Sequence, residues 1–167
     1  MLRITILTSC LLLLIASCVS KKEEGVAISD ATLFELAKSN TSFFYYKNSL
    51  DTMNAVSPSS HFPFIRVRFN PRARSSMTDS LDGLEEAIFA DESMVVKEIY
   101  NVKGGPLERY AIMYKLRGAS NSASGWVWSE LNADGTALFS ASLKGSTCVS
   151  CHATSLNRDL VKTFDLH

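Results

Sequence analysis

The pentapeptide Cys148-Val149-Ser150-Cys151-His152 lies close to the end of the chain. Two thiols three positions apart on one turn can each form a thioether with a vinyl group of haem, and the adjacent imidazole can then ligate the iron. The motif therefore predicts one covalently attached haem c, with Cys148 and Cys151 as anchors and His152 as the axial iron ligand. Only sixteen residues follow Cys151, so residues upstream of the motif must build the pocket.

Other chemistry for the two cysteines fits the sequence less well. A structural zinc site needs four ligands, and the only other histidines are His61 and His167. A thioredoxin-like pair is expected early in an α/β domain, at a strand-to-helix junction. A disulfide across two intervening residues would be strained and would leave His152 without a role.

The first residues are typical of an export signal. Arg3 precedes the apolar run Ile4 to Ile15, which is too short to span a bilayer as a mature helix. The following Ile15-Ala16-Ser17-Cys18 is similar to a bacterial lipobox, which predicts cleavage of residues 1–17 and acylation of Cys18. The alternative is ordinary signal-peptide cleavage nearby. Two or more acyl chains would hold the protein stably at a membrane surface.

The remaining chain divides into a polar tether, residues 18–30, and one haem domain, residues 31–167. A lipid anchor predicts a location on the periplasmic face of a bacterial membrane, and Ser20, two residues after Cys18, favours the outer membrane. Seventeen basic and seventeen acidic residues cancel in charge. Nucleic acid is therefore excluded as a partner.

The hydrophobic pattern predicts an α+β fold, a mainly antiparallel sheet with flanking helices. Ser29 or Asp30 can cap a helix that runs toward the aromatic residues 43–46, which form either the core face of that helix or a wall of the haem pocket. Asn70-Pro71 predicts a second helix toward Ala87. Alternating segments separated by turn residues predict the strands Phe64–Phe69, Met94–Tyr100, Arg109–Leu116, Trp126–Leu131 and Thr136–Ser140. In the first strand, Arg66 and Arg68 are expected either in solvent or at haem propionates.

Several of these segments together resemble the cytochrome P-460 family, which includes cytochrome c′-beta. The matching residues are Phe64 to Asn70, Val95 to Tyr100, Tyr110 to Lys115, Gly125 to Trp128 and Cys148 to His152. The resemblance implies an antiparallel sheet with flanking helices, a covalently attached haem, and a five-coordinate iron whose distal side is open to small ligands.

The resemblance also draws attention to Lys97. In the hydroxylamine-oxidising members, a lysine in the V-K-E segment is cross-linked to the porphyrin edge, and Lys97 matches it. The alternative is an ordinary strand lysine pointing to solvent. Val95 and Ile99 share the face of Lys97 and favour its burial.

The hydroxylamine-oxidising members also carry a carboxylate in the distal pocket, contributed by the segment before the haem motif. Between Trp128 and Cys148 the chain has only Glu130 and Asp134. Asp134 is predicted to lie in a turn and Glu130 has no clear counterpart. The sequence therefore favours an apolar pocket of the c′-beta kind, with Phe139 and residues 43–46 as candidates for its lining.

The sequence is compatible with three functions. The first is a haem protein that binds a small nitrogenous ligand such as nitric oxide or hydroxylamine, or passes electrons to a periplasmic redox partner. The second is an enzyme that oxidises hydroxylamine with a Lys97-linked haem, which requires a distal base. The third is a six-coordinate electron carrier, whose sixth ligand would be Met53, Met77, Met94, Met113 or His61. The sequence leaves a homodimer open.

Overall fold

A single antiparallel sheet dominates the computed structural model, which describes residues 25–39, 42–55, 60–61, 63–77, 88–153 and 159–162. The strands are β1 (Phe44–Tyr45), β2 (Met53–Asn54), β3 (Phe64–Phe69), β4 (Met94–Tyr100), β5 (Arg109–Lys115), β6 (Trp126–Asn132) and β7 (Ala137–Phe139). The helices are α1 (Asp30–Lys38), α2 (Pro71–Ser75) and α3 (Val149–His152), with 3-10 turns at Tyr46–Asn48 and Ala141–Leu143. The sheet order is β1-β3-β4-β5-β6-β7, and β2 also pairs with β3. The predicted α+β class is confirmed.

The two faces of the sheet form two separate cores, because neighbouring residues in a strand point to opposite sides. One core contains Ile65, Val67, Phe69, Val95, Ile99, Trp126 and Trp128, and the cysteine motif packs against it through Cys148. The other contains Val96, Ile112, Val127 and Leu131 beneath Leu33 and Ala37 of α1. The cysteine motif therefore lies on the face of the sheet opposite to α1.

Helix α1 is shorter than the pattern predicted. The Ser29 side chain accepts a hydrogen bond from the Thr32 amide at 3.1 Å, and α1 ends at Lys38. The continuation into residues 43–46 is wrong, since Phe44–Tyr45 forms β1 and pairs with β3. Aromatic side chains favour strands, and an available sheet edge satisfies the backbone here.

The other elements follow the predicted pattern closely. Strands β3 and β4 have the predicted bounds, and the ends of β5, β6 and β7 differ from prediction by a single residue each. Asn70 caps α2 by accepting the Ala73 amide at 2.8 Å. Helix α2 ends at Ser75, short of the predicted extension, and residues 78–87 of that extension lie outside the described part of the chain.

The α1 face buries a charged cluster that the sequence did not predict. Both arginines of β3 form ion pairs with Glu98 of β4. Arg66 Nε lies 2.6 Å from Glu98 Oε2. Arg68 Nε lies 2.9 Å from Glu98 Oε1, but its N–H does not point at that oxygen, so this contact is an ion pair without a hydrogen bond. Tyr100 also donates to Glu98, at 2.9 Å, and Arg68 donates to the Ala37 carbonyl of α1. Arg68 is fully buried, so the expected solvent exposure is wrong for it. Both arginines face away from the haem motif, which removes the alternative of propionate contacts.

Asp30, the first residue of α1, ties the helix to the sheet. Its carboxylate accepts hydrogen bonds from Ser129 Oγ at 2.7 Å, Ser140 Oγ at 2.6 Å and the Ala141 amide at 2.8 Å. Burial alone would raise the pKa of Asp30, but the bonds from Ser140, Ala141 and Ser129 outweigh burial and hold the pKa below its ordinary value of 3.8. The ionised carboxylate therefore stabilises the fold.

We expect Asp30→Asn to lower the free energy of unfolding by about 1 kcal/mol at neutral pH. This loss is smaller than that for a fully buried hydrogen bond to a charged group, because Asp30 is partly exposed. A depressed folded-state pKa contributes stability above the unfolded pKa and loses it as pH falls through the folded pKa. The difference from wild type should therefore shrink below about pH 4. Urea unfolding between neutral and acidic pH measures this effect, with exposed Asp51→Asn as control. A difference that stays constant down to the lowest pH would contradict it.

The predicted signal peptide, Cys18 and the first part of the tether lie outside the described residues and stay predictions. Within the ranges that the structure describes, no helix is both long enough and apolar enough to cross a membrane.

Candidate haem-binding site

The cysteine motif forms a short turn of helix that packs on Trp128. The Gly145 carbonyl accepts the amides of Cys148 and Val149, both at 2.9 Å. Gly145 has φ +63°, and a Cβ at this position would lie 2.5 Å from the Trp128 ring, so the close approach requires glycine. Cys148 is half-buried and Cys151 is exposed, and neither is in a disulfide. Both thiols are thus available on one turn.

The His152 ring is fixed by two neighbours. Its Nδ1 lies 2.7 Å from the Leu160 carbonyl oxygen, and Trp128 meets the ring edge-on at 4.9 Å between centroids. A carbonyl oxygen can only accept, so Nδ1 carries the proton and Nε2 holds the lone pair. Burial lowers the pKa of His152 to about 4, against the opposing effect of the Leu160 hydrogen bond, and the charges of Lys97 and Lys162 lower it further. The imidazole is therefore neutral at neutral pH, as a metal ligand must be.

A cavity lies between this turn and the sheet. Val95, Ala111, Met113 and Val161 supply apolar walls, and the polar side chains at its surface are His61, Lys97, Glu130, Cys148, His152 and Lys162. The predicted residues Cys148, His152 and Lys97 are thus brought to one cavity. Exposed Cys151 stands on the same turn, and Lys162 donates to its carbonyl oxygen at 2.9 Å.

Lys97 points into the protein and not to solvent. It is only 8% exposed, and its Nζ has no hydrogen-bond or ion-pair partner among the described residues. Burial lowers the pKa of Lys97 from 10.5 to about 8, with Cys151 opposing the shift and Lys162 adding to it. A buried amine without a carboxylate partner is costly to keep charged. A minor fraction of Lys97, larger than for an ordinary lysine, is consequently a neutral, nucleophilic amine near neutral pH.

The cavity also contains a carboxylate, contrary to the expected apolar pocket. Glu130 is 5% exposed and pairs with Arg109 and, at 3.7 Å, with His61 Nε2. Burial raises the pKa of Glu130, although Arg109 opposes the shift. The sheet register explains its placement: Lys97 pairs with Ala111, and Ala111 pairs with Glu130, so all three side chains emerge on one face.

The strand alternation could have located Glu130 from sequence, because it shares the face of Trp128 two residues earlier. Asp134 instead lies exposed in a turn, where its carboxylate accepts from the Thr136 amide and hydroxyl. Phe139 pairs with Glu130 across β6 and β7 but does not line the cavity.

The remaining candidates for iron ligation or pocket lining differ in whether they line the cavity. Met113 and His61 line the cavity, whereas Met94 belongs to the core beneath α1. Met77 lies in the core on the cavity side of the sheet, and Met53 packs against that core. Of residues 43–46, Tyr46 is in the core and Phe43 packs on Arg68, so none of them lines this cavity.

The donor set suits haem better than a metal ion alone. Nowhere in the described part of the chain do three His, Cys, Asp or Glu side chains cluster in a way that could hold a metal ion, so the zinc alternative has no support. Two cysteine thiols on one turn, a neutral histidine beside them and apolar cavity walls fit a covalently attached porphyrin.

A β-rich domain with a late C-x-x-C-H turn beside a cavity with apolar walls indicates a haem-binding cytochrome of the c type. A family model described as cytochrome P460 matches residues 46–163, well over half of the chain, and the chain belongs to this family. The family implies a haem cofactor, and the resemblance seen in the sequence is confirmed. No curated protein matches the sequence closely enough to count as a relative.

Proposed function

We propose that the protein is an exported c-type cytochrome whose single haem c is attached through Cys148 and Cys151 and ligated by His152. In this proposal the open side of the iron binds a small nitrogenous ligand such as nitric oxide or hydroxylamine, and electrons pass to a periplasmic redox partner. The observation that carries it is the fixed, neutral His152 beside Cys148 at the cavity, with Cys151 on the same helical turn. The lipobox at Cys18 supports anchoring to the periplasmic face of a membrane, preferentially the outer one.

When bound, the haem supplies an iron centre that takes up a ligand and exchanges single electrons. The residues of this chain determine what surrounds it. The Leu160 carbonyl keeps the lone pair of His152 on Nε2, and Met113 contributes to the apolar walls of the cavity. Lys97 and Glu130 place one basic and one acidic group at the cavity, which His61 and Lys162 also line.

Those two groups favour a second candidate, the oxidation of hydroxylamine. This reaction removes protons together with electrons and therefore needs a nearby proton acceptor. Glu130, with His61 3.7 Å beyond it, supplies such a group in the same cavity as Lys97. The partly neutral amine of Lys97 is chemically suited to the porphyrin cross-link that the family resemblance implies.

One preparation tests both candidates. The full chain is exported from cells that mature c-type cytochromes and is weighed intact; we expect a mass increased by one haem, and a spectrum that changes with nitric oxide. A colourless chain of unmodified mass would overturn the proposal. Proteolysis of the same sample then separates the candidates: a peptide containing Lys97 that stays bound to haem, together with turnover of hydroxylamine, supports the enzyme. A haem bound only to the peptide of Cys148 and Cys151 supports the ligand-binding protein.

A further inference from the structure

The turn at Asp159 and Leu160, whose Leu160 carbonyl contacts His152, has an unusual backbone. Asp159 has φ +51° and Leu160 has φ +70°. Aspartate tolerates the left-handed region, but a leucine there is uncommon, because its Cβ crowds the backbone. Two consecutive residues in this region persist only when the surrounding structure holds them.

Three contacts from the sheet side of the molecule hold Asp159. Lys115 Nζ lies 2.6 Å from its Oδ1, and the Phe89 amide donates to its Oδ2 at 2.9 Å. Trp126 Nε1 donates to its backbone carbonyl at 2.9 Å. The Lys115 side chain is 3% exposed and lies 4.7 Å above the Trp126 ring. The side-chain carboxylate and the backbone carbonyl of Asp159 are therefore both held by residues of β5, β6 and the segment before β4.

The next carbonyl along the chain, that of Leu160, accepts the proton of His152 Nδ1 at 2.7 Å. From this connection we propose that Lys115 and Asp159 are positioning residues for the axial histidine. Their ion pair, in which Lys115 is buried and Asp159 is partly buried, holds the turn so that the Leu160 carbonyl stays on Nδ1. The inference rests on the proposed role of His152 as the haem ligand.

The pair should influence the haem through this hydrogen bond. A histidine that donates from its second nitrogen to a fixed acceptor is a more basic metal ligand, and mutation of such outer partners commonly changes metal affinity or activity 10–100-fold. A more basic ligand favours oxidised iron. Releasing the turn should consequently raise the reduction potential of the haem.

Two substitutions of opposite charge distinguish positioning from simple electrostatics. Asp159→Asn removes a negative charge and Lys115→Met removes a positive one, but both break the same ion pair. We expect both substitutions to raise the reduction potential of the haem by roughly 59 mV. For a one-electron couple this is about a tenfold change in the equilibrium between oxidised and reduced haem. We also expect both to lower the iron–histidine stretching frequency of the reduced haem. Shifts of opposite sign in potential, with an unchanged stretching frequency, would mean that only the charges act and would overturn the inference.

The exposed ion pair of Arg117 with Asp91, at 2.7 Å, provides the matched control. Asp91→Asn makes the same charge change as Asp159→Asn without touching the turn, and it should leave the stretching frequency unchanged. The unaltered protein offers a measurement that does not depend on the variants folding. In its reduced, carbon monoxide-bound form, the His152 Nδ1 proton should exchange slowly with solvent, and rapid exchange would contradict the hydrogen bond.

The outcomes separate this inference from the proposed function. If the unaltered chain carries no covalent haem, the proposed function fails before any variant is compared. If the unaltered chain carries haem and both variants keep its potential and stretching frequency, only the positioning role of Lys115 and Asp159 fails.

Discussion

Cys148→Ser combined with Cys151→Ser is expected to abolish covalent haem attachment. The thioether bonds require sulfur nucleophiles, and a serine hydroxyl is far less reactive toward a vinyl group because its oxygen is a much weaker nucleophile than sulfur. The intact mass should fall to that of the polypeptide alone, and denaturing gels stained for haem should be blank. A single substitution should leave one thioether and a chain with reduced haem content.

The matched control lies inside the same turn. Ser150 is exposed between the two cysteines, and Ser150→Ala keeps both thiols and the helical turn. It should load haem as the wild type does. Full covalent loading of the double serine variant would show that the porphyrin is attached elsewhere and would end the assignment of both cysteines.

Glu98→Gln is expected to cause the largest loss of stability on the side of the sheet opposite to the haem motif. The substitution preserves shape but leaves Arg68, which is fully buried, without its counter-charge. Removing one partner of a buried ion pair costs about 3–5 kcal/mol. For a domain of this size the unfolding temperature should fall by about 10 °C, at roughly 2–4 °C per kcal/mol.

Thermal unfolding followed by circular dichroism measures this loss, with Glu35→Gln as the control. Glu35 is exposed on α1, where it lies 3.7 Å from Lys38, so its replacement should change stability by less than about 0.5 kcal/mol. Equal effects of the two substitutions would show that the Glu98 cluster contributes no more than a surface ion pair. The haem spectrum should stay unchanged in both, because Glu98 faces away from the cavity.

Most of the sheet could be predicted from local pattern. Strands β3 to β6 alternate or are flanked by turn residues such as Gly135, and each buries at least one face, so periodicity alone located them within a residue. The aromatic residues 43–46 misled the prediction, because short apolar runs suit a helix and a strand equally well. Only the free edge of β3 decided in favour of a strand.

The charged residues show where local pattern is insufficient. An arginine in a strand is usually solvated, and nothing near Arg68 in the sequence reveals that α1 covers it. Glu130 and Lys97 lie 33 positions apart in the chain, and the register of three strands brings them to one cavity. Lys115 and Asp159 are likewise joined only by the folded chain.

The sequence by itself predicted the chemistry proposed for the cysteine turn, because covalent haem attachment requires only the local spacing of Cys148, Cys151 and His152, which a single helical turn satisfies. It also determined the strand pattern, since burial of one face imposes a period of two. The tertiary structure decided which charges lie beside the cavity and which carbonyl fixes the histidine. Those features depend on strand register and on contacts between distant segments, for which a chain has no local signal.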